Sequence, residues 1–289
     1  MRREIGFALA LLAGPVAAEE TGCDAVRAAL EALSGYQILA ASSAMKDGWC
    51  ILDGTRLQAG WSPDLQAATF RLRGVVAAGE VTGLELETTG LQIAPRFGQR
   101  DLDPILRETL RLKTADLSLE LHLGPEGLLV RDGRLQLSGG TELDFEVSIA
   151  GAGLSAASLA LGRLTLARLD WRNDGRLLRP ALEAAGQRLA PEARGAEAID
   201  AVRSALSDLA AKLPASLVAD DSRKELGQLI HALPHGRGTL AVEFRSEGGL
   251  GAAQIGLAAL ADDPMGSQAL AWLFSGAQLS VDWEPGLGQ

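Results

Sequence analysis

The residue pattern with the sharpest chemical meaning is Gly151-Ala152-Gly153-Leu154-Ser155-Ala156, with Asp170 lying 19 residues after Gly151. Glycines in that order let a backbone approach a pyrophosphate, and an acidic residue about 20 positions on can bind a ribose. The run before it argues otherwise. Asp144, Glu146 and Ser148 alternate with apolar residues, whereas the first strand of a dinucleotide fold is buried on both faces. Only residues 154–161 could form the following helix. The segment reads as a Gly-rich turn between strands, and no cofactor is assigned. His231 and His235 have the i, i+4 spacing of helical zinc ligands. Pro234 between them and Gly236 after them end the helix before His235, and no Cys or carboxylate sits at an offset that completes a site. His231 reads instead as a helix C-terminal residue, compatible with the dipole there. His122 falls on the polar side of an alternating run and is expected to face solvent. Gly-x-Ser-x-Gly and His-Glu-x-x-His are absent, and no convincing Ser-x-x-Lys set appears. No catalytic residue and no metal ligand is therefore assigned. The acidic residues sit at alternating strand positions or in helix caps, and whether any two converge depends on three dimensions.

The remaining reactive pair is Cys23 and Cys50. The leader MRREIGFALALLAGPVAAEE frames how they are read. Arg2 and Arg3 supply a positive start, residues 5–12 an apolar core, and Val16-Ala17-Ala18 small residues at the positions a signal peptidase needs. A signal peptide over 1–18 is expected, with cleavage between Ala18 and Glu19. Its apolar run is well short of the roughly 20 residues that span a bilayer. In an exported chain two cysteines predict a Cys23–Cys50 disulfide. No later run is long and apolar enough to span, so a soluble periplasmic protein is expected. Composition agrees with a folded chain: 47% hydrophobic, 22% charged, net charge -10. The acidic balance, with no basic run, excludes an electrostatic nucleic-acid surface.

Periodicity supplies the frame. Val26, Leu30 and Leu33 predict an N-terminal helix, with Thr21 and Asp24 at capping-box spacing and Ser34-Gly35 at its end. Over 36–171 the period is two. Leu57, Ala59 and Trp61 alternate with polar or small residues; so do Phe70 and Leu72, Leu84 and Leu86, the leucines of 117–123, Leu135 and Leu137, and the apolar residues of 143–149. Leu164, Leu166, Leu169 and Trp171 close the series, and one short helix is predicted near 102–112. The stretch 154–169 is apolar at both sets of positions. Three helices are predicted over 174–233, the third capped by Ser222 with Glu225 and stopped by Pro234 and Gly236. Strands at 239–245 and 252–260, a short helix from Asp263-Pro264 and a strand at 277–283 follow. The expectation is one α+β domain over 19–289. It comprises a curved antiparallel sheet, strand-rich over 36–171, with a three-helix segment inserted before the last strands, at 238–283.

The Leu-x-Leu strands recur with Gly-Leu or Asp-Gly turns: Gly83-Leu84-Glu85-Leu86, then Leu119-Glu120-Leu121, then Asp132-Gly133-Arg134-Leu135-Gln136-Leu137. In this texture, over about 55–171 and 238–283, the chain resembles the AsmA-like group of bacterial envelope proteins. The resemblance implies a long curved sheet with an apolar inner face. The chain departs from that group in its short length, its lack of an anchor and its helical segment, and the resemblance assigns no functional residue. Two functions stay open. One is a non-catalytic periplasmic envelope protein that binds a lipid acyl chain or a partner protein along an apolar sheet face. The alternative is an exported hydrolase whose carboxylates converge only in space. Helical stripes either seal the apolar face or leave part of it as a groove.

Overall fold

The computed structural model describes residues 22–59, 62–77, 80–94, 113–173, 178–260, 263 and 265–286. The signal segment expected over 1–18 with its expected Ala18–Glu19 junction, Thr21 and the helix expected at 102–112 lie outside them. Eleven strands form one open sheet: β1 (Gln37–Leu39), β2 (Ser42–Lys46), β3 (Trp49–Ala59), β4 (Ser62–Ala77), β5 (Glu80–Ala94), β6 (Ala115–Gly124), β7 (Gly127–Leu137), β8 (Thr141–Ala150), β9 (Arg163–Asn173), β10 (Gly238–Gly251) and β11 (Ala277–Pro285). Every strand pair is antiparallel, and from β3 to β11 spatial order is chain order; β1 and β2 both pair with β3. Seven helices are described: α1 (Cys23–Ser34), α2 (Ala156–Leu161), α3 (Leu178–Leu189), α4 (Ala196–Lys212), α5 (Asp220–Ala232), α6 (Ala252–Ala259) and α7 (Ser267–Leu273). The fold class is α+β, and the sheet is antiparallel as the alternation requires.

The pairing register sorts the sheet into two unlike faces, because directly paired residues share a face. One continuous rung runs Leu52, Phe70, Thr88, Leu117, Leu135, Leu143, Trp171, Leu240, Trp283 across nine strands. The adjacent rung, on the opposite face, reads Arg71, Glu87, Ser118, Arg134, Asp144, Asp170. Leu166, opposite Ser148 and Arg245, lies on the polar face with Arg168 and Asp170, and a bulge at Thr165 returns Leu164 to the apolar face opposite Ile149. That resolves the uneven spacing of Leu164, Leu166 and Leu169.

Helices cover the two ends of the apolar face. At the β3–β5 end, α1 inserts Val26 and leans Leu30 and Leu33 against Leu52, Phe70 and Leu72. Gly35, at φ 69, closes α1 by donating its N–H to Glu31 O, and the Glu31 carboxylate accepts the Ile38 N–H at 2.8 Å. At the β11 end, α5 sets Leu226 and Leu229 against Trp283 and Leu240. The outer edge of β11 is also capped: Leu279 N–H donates to Leu217 O at 2.7 Å and Val281 N–H to Ser222 Oγ at 3.1 Å.

Ser222 thus serves the sheet rather than the helix. The capping box expected at Ser222 and Glu225 does not form, and α5 starts at Asp220 after an Ala219 N-cap with no side-chain bond. The strand expected at 252–260 is the helix α6. The β9–β10 ladder shifts register between Arg245 and Leu250 and ends at the Gly251–Arg163 pair, and Gln254 Oε1 accepts the Gly251 N–H at 2.9 Å. Within the stretch 154–169, a Ser155–Ser158 capping box starts the six-residue α2.

Candidate functional site

Burial along the apolar rung is uneven. Leu52, Phe70 and Thr88 are buried at one end, and Leu240 and Trp283 at the other. The four residues between them, Leu117, Leu135, Leu143 and Trp171, are only half-buried, as are all the apolar residues of β8 (Leu143, Phe145, Val147 and Ile149). Along this rung the centre, over β6–β9, is the part that the terminal helices leave least covered, while nearer α2 the same face is buried at Leu121 of β6 and Leu128 of β7. Phe145 lies flat over Gly133 of β7. A Cβ there would fall 2.5 Å from the ring, so only glycine admits this packing.

Thr88 is the one polar side chain in the rung. It is 3% exposed, and its Oγ1 has no hydrogen-bond partner. Buried hydroxyls are normally satisfied. Thr55, equally buried, shows the ordinary arrangement by donating to Leu52 O at 2.9 Å. Thr88 is therefore the polar exception beside the half-buried centre.

The opposite face is a lattice of cross-strand ion pairs. Arg71 meets Glu87 at 2.7 Å, and Arg73 meets Glu85. Arg134 reaches Asp144 at 2.7 Å and Glu142 at 3.3 Å, and Arg172 reaches the same two carboxylates. Arg168 bridges Glu146 and Glu243, at 2.9 and 2.7 Å, and Arg245 also holds Glu243. Hydrogen bonds from Arg245 and Arg168 push the Glu243 carboxyl down to about 2. Within this lattice, around the β7 bulge, lies an open cavity of about 550 Å³ with Ser118, Arg131, Asp132 and Asp170 on its walls. A general acid needs a carboxyl pKa raised toward neutrality; arginine bridges act in the opposite direction.

Of the residues singled out by type and spacing, the cysteines come together. Their sulfurs are 2.18 Å apart and their Cα atoms 5.0 Å apart, which ties the start of α1 to β3. The histidines do not. His231 is in the last turn of α5, and His235 lies beyond the helix end. His122 sits 3.1 Å from Glu120 on the charged face. No group of three or more His, Cys, Asp or Glu among the described residues could hold a metal. Gly151 is in a turn at φ 70, and the strand after α2 runs antiparallel to β8. A dinucleotide motif requires a parallel return. No helix among the described residues is long and apolar enough to cross a membrane. Sequence reasoning missed Thr88, whose place in an apolar rung emerges only from the register. No family model matches the chain, and no curated protein matches its sequence.

Proposed function

We propose that the chain is a non-catalytic envelope protein, exported to the periplasm, that holds an acyl chain against the central apolar face of its sheet. The observation that carries this is the rung with buried ends and a half-buried centre at Leu117, Leu135, Leu143 and Trp171. Aliphatic side chains dominate that centre, and apolar area is what an acyl chain exploits. Each buried methylene contributes about 0.8 kcal/mol. Association costs about 4–15 kcal/mol, so chains of roughly 12 carbons or more fit best. A strand-adding peptide is a poorer fit at the β11 edge, because Leu217 O and Ser222 Oγ already take its N–H groups. A hydrolase would draw on the carboxylates of the opposite face, where Glu142, Asp144, Glu146 and Glu243 are bridged by arginine. The leader and the Cys23–Cys50 bridge support export.

The test is native mass spectrometry of protein released from the periplasm without detergent, followed by lipid extraction. Co-purifying acyl species are expected, and the substitution Leu143→Asp removes them while the disulfide-bonded fold persists. A ligand-free protein that does not take up a long-chain fatty acid overturns the acyl reading. A peptide in place of the lipid would transfer the face to a protein partner.

A further inference from the structure

The large apolar residues that stay exposed are not scattered. Among the described residues, all of them but Leu39 and Leu189 lie at one end of the sheet. This is the end where β8 passes through α2 into β9, and where β10 passes through α6 and α7 into β11. Leu161 at the end of α2 is 84% exposed, and Leu260 just after α6 is 82% exposed. Ile255, Leu257, Met265 and Trp272 are each about half exposed. Leu257 and Trp272 share the walls of one groove between α6 and α7, of about 760 Å³. Arg163 pairs with both Ala150 and Gly251, which sets α2 beside the start of α6. Met45 and Val75 occupy the same end, on β2 and β4.

We propose that this end of the sheet, led by the α6–α7 segment, docks on the surface of a neutral lipid bilayer. Charge selects the surface. From residue 246 to 281 the chain has no Lys, Arg or His and carries Glu247, Asp262 and Asp263, which outnumber the exposed Arg163 beside Gly248. Such a segment gains nothing from an anionic membrane, where a basic one would be attracted. A lipid interface needs no matching partner surface. It accepts protruding Leu and Ile side chains with an amphipathic Trp at headgroup level. The inference rests on exposed residues at the sheet end and does not require the acyl-chain reading of the central face.

The experiment is flotation of the purified chain with phosphatidylcholine vesicles, with and without phosphatidylglycerol. Wild type should float with neutral vesicles, independently of salt, and less with anionic ones. Brominated lipids should quench part of its Trp emission, and Trp272→Phe should remove that part. The double substitution Leu257→Asp/Leu260→Asp, at exposed positions, should lower flotation at least tenfold with no change in the thermal unfolding of the fold. Absence of flotation, or a preference for anionic vesicles that salt abolishes, overturns the proposal. So does concentration-dependent dimerisation that the double substitution suppresses. Flotation without any co-purifying acyl species would sustain this inference while ending the acyl-chain one.

Discussion

Thr88→Val should make this protein more stable. The Thr88 hydroxyl is 3% exposed, sits between Phe70 and Leu117 in the register, and has no hydrogen-bond partner. Burying an unsatisfied hydroxyl costs about 1–3 kcal/mol. Valine keeps the branched shape and the strand preference, so the substitution removes that cost and places a methyl group among apolar neighbours. A gain of about 1–2 kcal/mol is expected, equivalent to roughly 2–6 °C in Tm for a chain of this size. Thr55→Val supplies the internal control. Thr55 is 1% exposed but donates to Leu52 O at 2.9 Å, so the same change there should cost about 0.5–1.5 kcal/mol. Urea unfolding of both variants, followed by circular dichroism with the disulfide intact, measures the two signs directly. If Thr88→Val is neutral or destabilising by more than about 0.5 kcal/mol, the hydroxyl has a partner in solution and the reasoning fails.

Replacing Cys23 and Cys50 by Ala should lower stability by about 3 kcal/mol, since the bridge closes a loop with a sequence separation of 27; chemical denaturation measures it, and an unchanged midpoint would refute it. Gly186→Ala sets two effects against each other. Alanine gains about 1 kcal/mol of helix propensity, but its Cβ would fall 1.9 Å from Ala198 O where α3 crosses α4. Overpacking of this kind costs about 1–3 kcal/mol, so net destabilisation is expected in urea unfolding. Acid sensitivity should depend on Glu243. Its pKa is about 2 in the fold against an ordinary 4.5, so its stabilisation is complete above pH 4.5 and fades as pH falls toward 2. Glu243→Gln should lose less stability than wild type over that interval, and parallel acid-unfolding curves would contradict it.

What the sequence determines is local. Period-two alternation commits most of 36–94 and 115–150 to strands with one apolar side, because successive side chains of a strand point to opposite faces whatever the rest of the chain does. The helix Cys23–Ser34 with Gly35 at its end and the pairing of the two cysteines were legible for the same reason: each follows from near neighbours or a simple count. Residues 252–259 misled, since a short Ala- and Leu-rich run satisfies either period. The choice is made where the β9–β10 ladder ends at the Gly251–Arg163 pair and Gln254 accepts the Gly251 N–H. Ser222 likewise has a capping spacing, yet its hydroxyl goes to Val281, 59 residues away. Only the tertiary structure aligns Leu52 through Trp283 into one rung, leaves its centre half-buried, strands the Thr88 hydroxyl among leucines, and gathers exposed Leu, Ile, Met and Trp at one end of the sheet. The physical reason is register. Which side chains become neighbours across nine strands is set by long-range backbone pairing and its bulges, and burial then depends on which helices reach each rung.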